Sequence, residues 1–487
     1  MKNLSEIIKS IDTIEIIGNT EISVTDIVFD SRKVINDCVF VATKGTHVDG
    51  HQFISKAIDK GAKVIVCQDI PLEISAELVY IKVENTTRVL GLMASLFYDE
   101  PSSKLKLVGI TGTNGKTTTV TLLYNLFKKL GYKVGLLSTV RNYIDDKIIE
   151  ATHTTPDAVQ INYLMSKMVD QGCQYCFMEV SSHAIDQNRI EGLNFAGGLF
   201  TNITHDHLDY HKTFSDYIKA KKKFFDNLKP ESFALINSDD KNGNIMVQNT
   251  KAQIKKYSIN SFADFKAKII ESHFEGSMLN IDNTDVWSYF VGRFNAYNIL
   301  AAYSIAIMLG FDKREILTSL SELKPVEGRF ETLRSKNGIT AVVDYAHTPD
   351  ALQNVLNAIN QIRTDEQELI TVVGAGGDRD KTKRPEMAKI TSENSNKLIL
   401  TSDNPRTENP EEILNDMKTG IAKEDLKSVL SIVDRKEGIR TACLLAKKGD
   451  IILVAGKGHE TYQEINGVKH HFDDREIIKQ IFNELYN

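Results

Sequence analysis

Short apolar runs, broken at regular intervals by polar turns that carry glycine, extend the length of this chain. In the first hundred residues the runs 24–29, 39–42, 64–66 and 78–83 read as strands separated by short helical stretches. Residues 101–104, Pro-Ser-Ser-Lys, read as a linker. A second series follows, with strands at 105–110, 133–138, 175–180, 197–202 and 233–237 and helices at 118–130 and 295–309. After Glu327-Gly-Arg329 the alternation restarts, with strands at 340–344, 369–374, 397–401 and 451–455. Strands alternating with helices predict mainly parallel sheets covered by helices, an α/β fold. Three units are expected, 1–102, 103–330 and 331–487. No internal repeat or low-complexity tract is visible.

Composition narrows the class. At 487 residues the chain exceeds one ordinary core, and 41% hydrophobic residues suffice for several. Net charge is −6, from 59 basic and 65 acidic residues, which argues against nucleic acid as a partner. The first ten residues are polar and amphipathic and lack a signal-peptide apolar core. No run approaches the roughly 20 apolar residues of a membrane span, so no membrane partner is expected. Five cysteines fit a reducing compartment. Cys173 and Cys176 form a lone C-x-x-C beside a buried-looking strand, which suits packing better than redox or zinc chemistry. A soluble, cytoplasmic protein is the expectation.

The chemistry concentrates at 108–119, Val-Gly-Ile-Thr-Gly-Thr-Asn-Gly-Lys-Thr-Thr-Thr. Strand, glycine turn, Lys-Thr and helix is the layout that wraps a triphosphate. Gly112, Thr113, Asn114 and Gly115 offer backbone N–H groups to phosphates, and the helix N-terminus adds positive potential. Lys116 can reach the β and γ phosphates, and Thr117 can hold Mg²⁺. The loop is short, with only Thr113 and Asn114 between its glycines.

Other polar groups fall at strand ends, where parallel α/β sheets bind ligands. Glu179 ends an apolar strand and is the expected second Mg²⁺ ligand. Thr204-His-Asp-His-Leu-Asp-Tyr-His211 follows another strand. Zinc is the weaker reading there, because Mg²⁺ with phosphates accounts for one histidine and no cysteine joins the group. His207 is the histidine expected at the metal. Lys221, Lys222 and Lys223 cannot share one helix face, so one can point inward while two meet water. Gly374-Ala-Gly-Gly-Asp-Arg379, Asp403-Asn-Pro-Arg406 and Gly456-Lys-Gly-His-Glu460 follow three strands of the last unit. The first is not a complete dinucleotide fingerprint. Together the three loops suit a charged small molecule.

These motifs, in this order, resemble the Mur ligases of peptidoglycan synthesis. The match adds Asp30-Ser-Arg32, the 45–51 loop, Thr154-Thr-Pro156, Asn295-Ala-Tyr-Asn298, Glu327-Gly-Arg329 and Asp344-Tyr-Ala-His-Thr-Pro349, and so spans nearly the whole chain. The resemblance implies a UDP-binding α/β domain, a central phosphate-loop ATPase domain and a C-terminal Rossmann-like domain. It implies an ATP- and Mg²⁺-dependent, amide-forming enzyme, a monomer, that extends UDP-N-acetylmuramoyl-L-alanyl-D-glutamate by one amino acid through an acyl phosphate. By resemblance Ser31, Arg32, Thr46 and His47 hold the uridine diphosphate. Thr154, Thr155, Ser182, Gln187 and Arg189 contact the muramoyl-dipeptide. Gly112 to Thr118, with Asn295, Arg329 and Asp344, serve ATP. Lys116, Glu179, His207 and Lys221 are the catalytic set, with Thr117, Glu179, His207 and a carbamylated Lys221 at the metal.

The resemblance also bears on the amino acid. In the family Asp-Asn-Pro-Arg accompanies meso-diaminopimelate, and lysine-adding relatives usually differ at the last position. Diaminopimelate has a second carboxylate that Arg406 can pair bidentately, with Arg379, Asp403, Asn404, Gly456 and Glu460 around it. L-lysine lacks that carboxylate and is expected to leave Arg406 unpaired. The lysine-adding ligase of the same family is the alternative. Folylpolyglutamate synthase and a nucleotide switch without ligase chemistry are more distant ones.

Overall fold

In the computed structural model, which describes residues 1–45, 48–151 and 153–486, three separate sheets follow one another along the chain. The first has five strands in the order Glu15–Ile17, Val79–Lys82, Val64–Cys67, Val39–Val41 and Ile27–Val28. All its pairings are parallel except that of Glu15–Ile17, which closes one edge antiparallel. Valines along these strands and Leu90 and Met93 of helix Thr86–Phe97 form its core.

The second sheet has eleven strands. Its middle is parallel, and the phosphate-loop strand Lys106–Thr111 lies between Tyr175–Glu179 and Gly197–Phe200. Three adjacent C-terminal ends therefore deliver the glycine loop, Glu179 and the 201–207 segment to one edge. These strands are buried on both faces and read as continuous apolar runs. Helix Lys116–Lys129 packs Val120, Leu123 and Phe127 into the core that also holds most of helix Arg293–Met308.

Both flanks of this sheet depart from the parallel expectation. The hairpin Arg141–Ile144 with Lys147–Glu150 extends one edge, and Phe265–His273, Gly276–Ile281 and Thr284–Ser288 form an antiparallel meander on the other. Lys266, Lys268 and Glu271 alternate with less exposed residues along Phe265–His273. One wet face removes the continuous apolar run that marks a buried strand. The expected linker also differs, since Pro101–Lys104 is a 3-10 turn with Ser102 buried. The Ser102 hydroxyl accepts from the Asn194 N–H at 3.0 Å.

The third sheet has six strands in the order Glu331–Arg334, Thr340–Asp344, Ile451–Ala455, Leu369–Val373, Lys397–Thr401 and Val429–Ile432. Only Glu331–Arg334 is antiparallel. A detached hairpin, Tyr462–Ile465 with Val468–His471, precedes the last helix, Asp474–Tyr486. All five cysteines are free and buried, and burial raises the Cys173 and Cys176 thiols. Among the described residues no helix is long and apolar enough to cross a membrane.

One ion pair is sealed inside the third unit. Arg435 donates to both carboxylate oxygens of Asp474 at 2.8 Å and to the Ala455 carbonyl at 3.0 Å, and both side chains are fully buried. It ties two helix starts to the end of strand Ile451–Ala455. Asp474→Asn leaves the guanidinium buried without its counter-ion, which costs about 3–5 kcal/mol. Urea unfolding should show the third unit's transition at lower denaturant, with much of the loss recovered in Arg435→Met/Asp474→Leu. A wild-type midpoint in Asp474→Asn would refute this.

Candidate active site

The glycine loop is held from behind by the next strand end. Thr113 N–H donates to Asn202 O at 2.8 Å, and Asn114 N–H to Asn202 Oδ1 at 2.9 Å. The Thr201 hydroxyl donates to Asn114 O at 2.7 Å. Gly115 caps the helix at φ +86°, a left-handed conformation that favours glycine. Lys116 folds back to donate to Gly112 O at 2.9 Å and Thr113 O at 2.7 Å. Lys221 donates to the same Gly112 oxygen at 2.9 Å. Lys221 is thus the inward member of the lysine triplet, while Lys222 bonds Asp226 and Lys223 is exposed and bonds Asn188. Burial lowers both Lys116 and Lys221, and their proximity adds to the shift of Lys221.

Around the loop stand acids and imidazoles. Glu179 is fully buried and accepts from Thr139 N–H at 2.9 Å and the Thr139 hydroxyl at 3.2 Å. Thr155 donates its hydroxyl to Glu179 O at 2.8 Å and receives Arg189 Nη1 on its carbonyl at 2.8 Å. Gln187 Oε1 takes two further Arg189 donors, at 2.6 and 3.0 Å. Ser182 Oγ lies 2.9 Å from His211 Nε2. His207 sits at φ +53°, and burial, followed by Lys116, His183 and Lys221 against the opposing pull of Asp206, brings its imidazole to about 3. Burial alone would raise Asp206, but His207 and Lys383 outweigh it and hold the carboxyl far down. Lys383 reaches Asp206 from a helix of the third unit.

The three expected loops of the third unit close this cleft, whose volume is about 540 Å³. Arg379, Asp403, Asn404, Arg406, Gly456 and Glu460 all line it, together with Gly112 to Thr118, Thr154, Thr155, Glu179, Ser182, Arg189, His207 and Lys221. Asn404 Nδ2 donates to Glu460 at 2.8 Å, and buried Lys457 bonds Asn404 Oδ1 at 3.2 Å and Glu460 at 3.1 Å. Arg406 donates to Gly377 O at 2.6 Å and lies 3.6 Å from Glu464. Glu464 was not among the expected residues.

A second cavity, about 350 Å³, opens on the other side of Gly115. Asn114, Thr118, Arg329 and Asp344 line it, with Asp239, Arg293, Tyr297, Asn298 and Asp350, none of the last five singled out from the sequence as a ligand contact. Asp239 accepts from Tyr297 OH at 2.8 Å and fixes that ring. The loop closes on this side too, since Asn114 Nδ2 donates to Asp350 at 2.7 Å. Burial raises Asp344 to about 6, against the opposing effect of Arg329 and the N–H groups of Phe330 and Ala346. Asn295 lines neither cavity. It donates to Val291 O at 2.9 Å and accepts from Asn298 at 3.1 Å, so it stands behind Asn298.

The first unit's residues lie outside both cavities. Ser31 is buried, and exposed Arg32 forks onto Asp30, whose carboxyl that hydrogen bond brings to about 2. Thr46 and His47 lie outside the described residues. Gln187 lines neither cavity and acts on Arg189. The first unit nevertheless docks beside it, where Ser95 donates to Gly192 O at 3.1 Å and Arg88 pairs with Glu191 at 2.9 Å. Among the described residues no cluster of three or more His, Cys, Asp or Glu forms a metal cage.

Known proteins share this arrangement. The Mur ligase middle domain family matches residues 110–306, the Mur ligase glutamate ligase domain residues 328–458, and the Mur ligase family catalytic domain residues 23–98. The chain is 57% identical over 479 residues to the UDP-N-acetylmuramoyl-L-alanyl-D-glutamate--2,6-diaminopimelate ligase of Phocaeicola vulgatus, covering 98% of this chain and 99% of that one. A protein of the same name from Bacteroides thetaiotaomicron is 56% identical over 480 residues, covering 99% and 100%. A solved structure of a ligase so named superposes with a TM-score of 0.71 at 31% identity, over 100% of this chain and 99% of that one.

His459 supplies a pH test of the cleft wall. Its Nδ1 is buried without a partner, its ring packs on Tyr345 at 4.8 Å, and burial followed by Arg329 and Arg475 brings it to about 3. A depressed imidazole favours the neutral fold, so its contribution is present above the ordinary 6.5 and is lost as pH falls toward 3. His459→Gln should therefore lose less melting temperature than wild type between pH 7 and 4. Parallel Tm profiles would show that His459 titrates normally.

Proposed function

The chain belongs to the Mur ligase family, and from that membership we propose that it joins meso-diaminopimelate to the D-glutamate γ-carboxyl of UDP-N-acetylmuramoyl-L-alanyl-D-glutamate, using ATP. The observation that carries this is the single cleft in which the phosphate loop faces Arg406, Asn404 and Glu460. In this reading residues 1–102 hold the uridine diphosphate, 103–330 the ATP and 331–487 the amino acid. Nucleoside would lie in the second cavity, between Tyr297 and Asp344. The triphosphate would run past Gly115 to Lys116. Free buried thiols and ATP use fit the cytoplasm.

The donor set suits Mg²⁺. A hydroxyl at Thr117, a carboxylate at Glu179 and a neutral imidazole at His207 are too few for a protein cage and right for an ion that completes its shell with phosphate oxygens. When bound, the ion supplies neutralisation of phosphate charge. Lys221, whose charged form burial and Lys116 disfavour, is a fit amine for carbamylation, which would turn it into an anion.

The chain's own groups then have these tasks. Lys116 and the N–H groups at the start of helix Lys116–Lys129 hold the γ-phosphate against the approaching carboxylate. Arg189, braced by Gln187 and Thr155, holds an acidic group of the dipeptide. Phosphoryl transfer to the γ-carboxylate gives an acyl phosphate and ADP. Glu460 and Asn404 orient the amine, whose attack expels phosphate and leaves the amide. Contacts between the second and third units exclude water meanwhile.

Incubation with ATP, the UDP-dipeptide and equal amounts of meso-diaminopimelate and L-lysine should yield the diaminopimelate product by mass. A lysine product would overturn the assignment. Arg406→Ala should lower kcat/KM for diaminopimelate by about 10- to 100-fold while sparing the KM for ATP. An equal loss with both amino acids would remove Arg406 from the recognition of the distal carboxylate.

A further inference from the structure

We infer that the hairpin Tyr462–Ile465 with Val468–His471 is the specificity frame of the amino-acid site, and that Glu464 is the positioning residue that aims Arg406. The inference rests on the reading that Arg406 receives the substrate's distal carboxylate. Arg406 lies at φ +51°, a left-handed conformation unfavourable to a long side chain. Such a conformation persists only where the surroundings fix it on more than one side. The hairpin does so. Arg406 N–H donates to Glu464 O at 3.1 Å, and Asn466 N–H donates to Arg406 O at 2.7 Å. The residues before it are tied as well. Gln463 Nε2 donates to Asp403 O at 2.7 Å, and Glu464 N–H to Asn404 Oδ1 at 2.9 Å.

The side chain is fixed at two points. Nη1 donates to Gly377 O at 2.6 Å, and Nε faces Glu464 at 3.6 Å. These set the plane of the fork and leave its remaining donors to the cleft that Arg406 lines. The hairpin has no other evident duty. None of its residues joins an apolar core, and its second strand is exposed throughout. A lone hairpin is marginal in water. Its order and that of the 403–406 loop therefore depend on each other.

Glu464→Gln keeps the backbone ties and removes the counter-ion. We expect the KM for meso-diaminopimelate to rise about fivefold, with kcat, the KM for ATP and the KM for the UDP-dipeptide unchanged within about twofold. In an Arg406→Ala background the same change should add less than about twofold, because the two act as one unit. Glu464→Asp should restore part of the loss. An unchanged diaminopimelate KM, an additive effect with Arg406→Ala, or a rise in all three KM values together would overturn the inference. Should Glu464→Gln not fold, Gln463→Ala removes only the Asp403 tie and should raise the same KM about threefold, with no rise overturning it. If wild type joins lysine instead, the functional reading fails separately.

Discussion

Lys116 and Lys221 both donate to one oxygen, that of Gly112, at the wall of the cleft. Two neutral carbonyls, Gly112 O and Thr113 O, do not balance two ammonium groups, and burial already drives both toward the neutral form. The pair therefore works only with negative charge nearby. Glu179 and Asp206 supply some of it within the second unit and oppose the depression of Lys116. A triphosphate would supply the rest. The short loop, the buried acids and the inward lysine of an otherwise solvated helix face all follow from that imbalance.

Asp206 carries the imbalance across to the third unit. It is shared between His207 beside the loop and Lys383 on a helix that belongs to the amino-acid side. Asn114 does the same on the other face through Asp350. The hinge between the units is equally committed. Glu327 faces Arg141 of the second unit at 3.7 Å and Arg475 of the third at 3.4 Å. Gly328, at φ +64°, lies where any side chain would run into the Gly458–His459 backbone. Arg329 then lines both cavities. The phosphate loop, the 327–329 junction and the loops of the third unit are thus one connected set of contacts, the arrangement expected where two substrates must meet with water excluded.

Much of this was legible in the residues, for reasons that also mark where legibility ended. Strands buried on both faces announce themselves as apolar runs, and glycine loops at their ends announce ligands, so the parallel cores and four of the site's loops could be read directly. The meander at Phe265–His273 was not, because Lys266, Lys268 and Glu271 on its wet face break the run. The second cavity is only half legible. Asp239, the helix start that carries Arg293 and Tyr297, and Asp350 come from three separate segments and meet only through the fold. Within the Asn295–Asn298 motif it is Asn298 that lines the cavity, with Asn295 bonded behind it. Arg406 was visible and Glu464 was not, since nothing local marks a hairpin glutamate as the partner of a loop arginine.

That partner changes how the amino acid is chosen. From the residues alone, a lysine substrate seemed to leave Arg406 an unpaired charge, the situation in which sites discriminate by about 10⁴–10⁵. In the fold Arg406 already has partners, the Gly377 carbonyl at 2.6 Å and Glu464 at 3.6 Å. Asn404 and Lys457 likewise already satisfy Glu460. Binding therefore exchanges partners. The correct ligand gains one charge-assisted pair, worth roughly 1.5–3 kcal/mol, and the wrong one merely forgoes it. With Arg406 in its proposed role, selection of the amine rests on that gain, about 10- to 100-fold, together with the aim of the fork that turns the gain into the right geometry for attack.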